Sequence, residues 1–61
     1  MQRRNLTDYA REIGARPWDA VPRAIAAGWK LEVPGSTDAD EDRARREILA
    51  NSARAVWLWR R

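Results

Sequence analysis

Few side chains in this 61-residue sequence could do catalytic chemistry, since histidine and cysteine are both missing. Without them there is no imidazole general base and no imidazole or thiolate metal ligand. None of the hydroxyl groups has a general base obviously beside it; they belong to Thr7, Tyr9, Ser36, Thr37 and Ser52. A glycine-rich phosphate loop and paired metal-ligand spacing are also missing. We therefore predict a non-enzymatic protein with no catalytic residue, no metal, no cofactor and no small-molecule substrate.

Carboxylates are plentiful, but they cluster where a helix would start. Residues 31–42 hold five acids and no cation, and Asp-Glu-Asp stands at residues 40–42. Anions are favoured in the first turn of a helix. Arginines follow one turn later, so the pairs Glu41–Arg45 and Asp42–Arg46 are available at helical spacing. We interpret the cluster as a capped helix start rather than a calcium site.

Cations dominate the segments on either side of this acidic stretch. Residues 1–30 carry six cations against three acids, a net +3, and residues 43–61 carry six arginines against Glu47, a net +5. Separated charge of this kind is typical of surfaces that meet nucleic acid. A solvated face that keeps the protein dispersed explains the same pattern, so charge alone leaves both interpretations open.

The stretch YAREIGARPWDAVPRAIAAGW, residues 9–29, predicts two short helices. The first spans residues 7–13, with Thr7 as N-cap and Gly14 as the left-handed residue that ends it. The second spans residues 18–27; it starts at Pro17 or Asp19, presents Val21, Ala24 and Ile25 as its apolar stripe, and closes at Gly28.

This helix pair fits a helix-turn-helix and a plain helical hairpin equally well. In a helix-turn-helix, Ala10 would be the small crossing residue, Gly14 would make the turn, and Val21 would pack back. The second helix would then read DNA. The predicted nucleic-acid contacts are Arg16, Trp18 and Arg23 near its start, with Lys30, Arg3 and Arg4 on the flanking backbone.

The C-terminal part predicts the longest helix, over residues 38–56, with Thr37 or Asp38 as its cap. Two segments compete with this all-helical interpretation. Residues 29–33 alternate apolar and polar like a half-buried strand, and Val56-Trp57-Leu58-Trp59 would suit a strand paired with them. In a helix, Trp57 and Leu58 fall off the apolar face. We therefore predict a partner or dimer interface at Trp57, Leu58 and Trp59, with folding back onto the first two helices as the alternative.

The motifs YAREIG…AVPRAIAAG…ARREILANS, over about residues 6–52, resemble the N-terminal helix-turn-helix of phage terminase small subunits and excisionase-like modules. This resemblance implies sequence-directed DNA binding by residues 16–23, carried by Arg16 and Arg23. The tryptophan-rich tail is a departure from the pattern and implies self-association. The stretches LTDYAREIG…AIAAGW…STDADEDRARREIL are also similar to the N-terminal module of bacterial translation initiation factor 2. That second resemblance implies contact with RNA, the ribosome or a protein.

Together these features predict one all-α domain over residues 1–61, with three helices, a helix-turn-helix and room for a short β-hairpin or wing. No apolar run approaches the ~20 residues of a membrane span, so we expect a cytoplasmic protein of bacterial or phage origin without a membrane partner. We expect DNA as its ligand in an accessory or regulatory role, and a homodimer is compatible with its size. The alternative is a protein-interaction module, an inhibitor or docking domain that binds through exposed tryptophans and charged helix faces.

Overall fold

The structure, a computed structural model, describes residues 1–61 and has both helices and a sheet. The prediction of an all-α domain is wrong, because 51% of the residues are helical and 26% lie in an antiparallel four-stranded sheet. In chain order the elements are β1 (Gln2–Asn5), α1 (Leu6–Ile13), α2 (Pro17–Ala26), β2 (Lys30–Val33), β3 (Ser36–Ala39), α3 (Glu41–Ala50), a 3₁₀ turn (Ala53–Ala55) and β4 (Trp57–Arg60).

The four strands are ordered β1-β4-β2-β3, so the last strand of the chain lies inside the sheet. β4 pairs antiparallel with β1 on one side and with β2 on the other. Leu58 is the centre of this arrangement, opposite Arg4 on β1 and opposite Leu31 on β2. β2 and β3 form the one local hairpin, which turns at Pro34-Gly35.

The first two helices lie within one residue of their predicted ranges, although their caps differ. The N-cap of α1 is Asn5, whose side-chain oxygen accepts a hydrogen bond from the Thr7 amide at 2.9 Å. Gly14 ends α1 in the left-handed conformation, with φ 70°. α2 starts at Pro17, where the missing amide hydrogen costs no intrahelical bond. It continues through Pro22 on the exposed side of the helix.

The third helix is shorter than predicted, because the residues at both of its expected ends lie in strands or lead into them. Residues 36–39 form β3, and α3 starts after Asp40, whose carboxylate accepts a hydrogen bond from the Arg43 amide at 2.7 Å. α3 ends at Ala50 rather than at residue 56. A helix continued to residue 58 would turn Leu58 off its apolar face, whereas β4 buries that side chain completely.

All three helices pack on one side of the sheet and enclose a single core. Its largest fully buried side chains are Leu6, Val21, Leu31, Val56 and Leu58. Small residues let the helices approach closely; Ala10, Ala20, Ala24 and Ala44 are all at most 1% exposed. The longest helices have ten residues, and none has the length and apolar content needed to cross a bilayer.

One carboxylate, that of Glu47 on α3, is buried with this core. Arg43 donates to it from Nη1 at 3.2 Å, and the side-chain amide of Asn51 donates to its other oxygen. Glu41 pairs with Arg45 at 2.8 Å, as predicted, whereas Asp42 and Arg46 form no ion pair. Two members of the acidic segment, Asp40 and Glu41, therefore cap and brace α3.

Candidate nucleic-acid interface

The side of the sheet that faces away from the helices carries two tryptophans among charged side chains. Because side chains alternate along a strand, Leu31 and Leu58 point into the core while their neighbours point outward. Two cross-strand rows result from the pairing register: Arg3, Trp59 and Lys30 form one, and Asn5, Trp57 and Glu32 form the next. We call this surface, together with Asp38 on β3, the open face.

Trp57 is held on the open face by a cation on the edge strand. The guanidinium carbon of Arg3 lies 4.1 Å from the centroid of the indole, a stacking distance. The same guanidinium reaches across β4 to Glu32, with Nε–Oε1 and Nη2–Oε2 distances of 3.3 and 3.4 Å. Arg3 is thus oriented parallel to the sheet, with its side chain 46% exposed.

Trp59 leans the other way, toward β3. Its indole Nε1 donates a hydrogen bond to the Thr37 carbonyl at 2.6 Å, which satisfies the polar edge of the ring. Lys30 lies beside it, with Nζ 5.9 Å from the ring centroid and 3.9 Å from Asp38. Both rings are therefore fixed in orientation without being buried.

Each indole borders a depression in the surface. A depression of about 540 Å³ is lined by Trp57, Glu32, Ala55 and residues 33–37 of the hairpin. A second, of about 270 Å³, is lined by Met1, Arg3, Glu32, Thr37 and Trp59. Residues two apart on a strand are separated by roughly 7 Å, so the rings lie side by side as two neighbouring platforms. Flat aromatic groups next to hollows of this kind can stack planar ligands.

The open face brings together four of the residues predicted as separate sites. Arg3 and Lys30 were expected to contact DNA, and Trp57 and Trp59 were expected to contact a protein. They lie on adjacent strands of one surface, although up to 56 positions separate them in the chain. Asn5, Glu32 and Asp38 complete this surface, and the sequence analysis did not predict them as site residues. The period-two alternation of Lys30–Val33 and Trp57–Arg60 was the signal that could have found Glu32.

Three more of the predicted DNA contacts lie on α2 or at its N-cap, away from the open face. Arg16 and Arg23 are exposed and form no ion pair. Seven residues of helix place them about 10 Å apart along its axis. Trp18 lies on another flank of α2, toward α3, where the Arg45 guanidinium carbon is 5.0 Å from its ring centroid. The three residues do not form one surface.

Two predicted contacts need correction. Arg4 points to the helix side of the sheet, where it pairs with Glu12 and lies 5.7 Å from the ring centroid of Tyr9, so it is not a free phosphate contact. Leu58, predicted at a partner interface, is fully buried. Both errors have one cause: residues adjacent in a strand face opposite sides of the sheet. Arg4 is therefore separated from Arg3, and Leu58 from Trp57 and Trp59.

The Arg4–Glu12 pair leads to a testable prediction. The hydrogen bond from Arg4, reinforced by its charge, holds the pKa of Glu12 below its ordinary value of 4.5. A lowered carboxyl pKa adds stability that is present above pH 4.5 and is lost as the pH falls through the lowered pKa. We expect an NMR titration of the Glu12 carboxyl carbon to give a pKa below that of Glu12 in the Arg4→Gln variant. Equal pKa values in the two proteins would contradict the pairing.

Comparison with models of protein families, with curated proteins and with solved structures finds no match to this chain.

Proposed function

We propose that this chain is a small, non-enzymatic DNA-binding protein that takes single-stranded DNA on its open face, in an accessory or regulatory role. One observation carries the proposal. Trp57 and Trp59 project from the same side of an inner strand, and cations from both neighbouring strands, Arg3 and Lys30, lie against them. Aromatic rings for the bases and cations for the phosphates are the two components that single-strand binding needs.

Stacking on the indoles would supply most of the affinity. Each base stacked on an aromatic side chain contributes about 1–3 kcal/mol and is tolerated whatever its identity. One common RNA-binding module, a four-stranded sheet, stacks two or three bases on aromatic side chains in this way. The planar Arg3 guanidinium over Trp57 extends the platform, since guanidinium planes also stack on bases.

Electrostatics would contribute less, because the cations on the open face have partners. Arg3 pairs with Glu32 and Lys30 with Asp38, at N–O distances of 3.3 and 3.9 Å. These are half-exposed pairs worth little individually, so a phosphate can replace either carboxylate at small cost. We expect binding to weaken with salt, with a slope of about −0.7 for each phosphate contacted.

The test is a fluorescence-anisotropy titration of an end-labelled oligothymidine with the intact chain. Trp57→Ala and Trp59→Ala should each weaken binding about 5- to 150-fold, the equivalent of one lost stacking contact of about 1–3 kcal/mol. Trp18→Ala is the matched control, because Trp18 is 40% exposed and lies among the helices. The affinity of this variant for oligothymidine should stay within about twofold of the wild-type affinity.

Circular dichroism on each variant separates loss of binding from loss of fold. Trp57→Phe, which retains a ring, should recover part of the affinity. If folded Trp57→Ala and Trp59→Ala bind the oligothymidine as tightly as the wild type, the open face is not the binding site. A ribo-oligonucleotide of the same length measures sugar preference; tighter binding to it would make RNA, rather than DNA, the ligand.

Duplex DNA on α2 is the competing mode for the same function, supported by the unpaired Arg16 and Arg23. Their spacing of about 10 Å is comparable to the major-groove width of about 12 Å. Asp19 lies between them and reduces the local charge. If the wild type prefers duplex over single strand, and Arg16→Ala/Arg23→Ala loses that binding, α2 is the DNA-binding element.

A protein partner is the second candidate function, favoured by apolar side chains that the helices leave exposed. Leu49 is 74% exposed, Ile25 43% and Trp18 40%, and a cleft between α2 and α3 joins Trp18 to Leu49. Arg46 lines this cleft without an ion pair, so a segment with apolar and acidic side chains would fit it. Such an interface should depend on salt less steeply than phosphate binding does, and it should be lost in Leu49→Ser while binding of oligothymidine is unchanged.

A further inference from the structure

We infer that a depression beside Trp57 is a phosphate-binding site, in which Arg11 and Arg54 hold a phosphate group of the nucleic acid stacked on the open face. This inference rests on the proposed function and adds the place at which a phosphate of the bound DNA would lie. The depression has a volume of about 460 Å³ and lies at the junction of α1, the 3₁₀ turn and β4. It is lined by Asn5, Thr7, Asp8, Arg11, Arg54 and Trp57.

Two cations converge on this depression without an acidic partner. Five cations of the chain form ion pairs, with Glu32, Glu12, Asp38, Glu47 and Glu41, and neither Arg11 nor Arg54 is among them. Both side chains are exposed, and Asp8 is the one acid in the lining, so the depression is net positive. Unpaired guanidinium groups at one concave site are suited to the several oxygens of a phosphate.

The backbone beneath Arg54 is fixed, although its side chain is free. The Arg54 amide donates to the Ser52 hydroxyl at 3.1 Å, and the Asn5 side-chain amide donates to the Arg54 carbonyl at 2.9 Å. Asn5 also caps α1, the helix that carries Arg11. One residue therefore ties together the two backbone segments that carry the arginines.

Thr7 adds a polar group to the same lining. Its hydroxyl oxygen is buried and has no hydrogen-bond partner. An unpaired buried hydroxyl is unfavourable, and a phosphate oxygen bound in this depression would give it an acceptor. This feature is secondary to the two arginines, which define the site.

Trp57 connects this site with the proposed stacking surface. Its indole borders both the 460 Å³ depression and the 540 Å³ hollow of the open face. A nucleotide stacked on Trp57 would therefore have its phosphate next to Arg11 and Arg54. A terminal phosphate and an internal phosphodiester share the chemistry that the site recognises.

The test compares two double variants of equal charge in the anisotropy titration with oligothymidine. Arg11→Gln/Arg54→Gln removes the site. Arg46→Gln/Arg61→Gln removes two other exposed arginines that form no ion pair, and neither of them lines a depression beside Trp57. We expect the first variant to bind about tenfold more weakly and to lose about 0.7 to 1.4 from the salt slope, for one or two phosphates. The second variant should change the affinity and the salt slope by less than half of these amounts.

Two further arms separate the sources of the phosphate and the two proposals. A 5′-phosphorylated oligothymidine should bind more tightly than its 5′-hydroxyl form if the site takes a terminal phosphate, and equally if it takes a phosphodiester. Thymidine 5′-monophosphate, compared with thymidine, should shift the Arg11 and Arg54 Nε–H signals in an NMR titration, which requires no oligonucleotide binding. Absence of these shifts together with equal effects of the two double variants would overturn the site. Loss of binding in Trp57→Ala would then leave the proposed function standing.

Discussion

Leu58→Ala is expected to remove most of the protein's free energy of unfolding. Leu58 is fully buried between β1 and β2 and beneath the helices, so its truncation removes apolar contacts and leaves a cavity. Changes of this kind cost about 2–5 kcal/mol, and a domain of this size has roughly 3–5 kcal/mol of stability from its core. Urea unfolding followed by tryptophan fluorescence measures the loss as a lowered midpoint.

Leu49→Ala is the matched control, because it removes the same atoms from a leucine that is 74% exposed. It should shift the free energy of unfolding by no more than about 0.5 kcal/mol. Equal urea midpoints for the two variants would mean that β4 does not lie in the core. The proposed open face, which depends on the pairing of β4, would then also be wrong. The comparison therefore tests the sheet before any DNA is added.

Ala24→Asp is expected to be at least as damaging, by about 3–5 kcal/mol, because an unpaired carboxylate would be buried. Ala24 is 0% exposed on the side of α2 that packs on the core. The aspartate side chain is also larger than the methyl group of alanine, so it does not fit the closely packed space at this position. The variant should show little helical circular dichroism at neutral pH, and it should regain some at low pH, where the aspartate is protonated.

Ala26→Asp introduces the same group two residues later, on the exposed side of α2. An anion in the last turn of a helix is mildly unfavourable, by about 0.3–1 kcal/mol, so this control should stay folded. A folded Ala24→Asp variant with a similar unfolding midpoint would show that α2 is rotated relative to the described packing. Arg16 and Arg23 would then no longer be placed on its outer side.

The sequence by itself determined the helices that have local signals. Gly14 ends α1 because a left-handed residue is cheapest as glycine, and Pro17 starts α2 because its ring suits the first helical position. The alternation in residues 29–33 indicated a strand as one of two alternatives, and the structure has β2 at Lys30–Val33. Finer features were less secure. Ile25 was placed in the apolar stripe of α2, yet it is 43% exposed, while Ala20 is buried.

Only the tertiary structure decided the fold class, because the strands at the two ends of the chain have no local signal that distinguishes them. Gln2–Asn5 contains no apolar residue, and residues 56–59 suited a helix as well as a strand. Each becomes a strand by pairing with the other, in a ladder that joins Gln2 to Arg60. The strand propensity of a short segment cannot predict hydrogen bonds between residues that are so distant in the chain.

The grouping of the candidate site residues was also decided by the tertiary structure. The residue types were recognisable in the sequence: cations near both ends of the chain and tryptophans near its C-terminal end. Their grouping depended on strand register, which places Arg3 and Lys30 beside Trp57 and Trp59 and turns Arg4 and Leu58 to the opposite side. Since a shift of one residue would exchange the two sides, this surface is a property of the long-range pairing that buries Leu58.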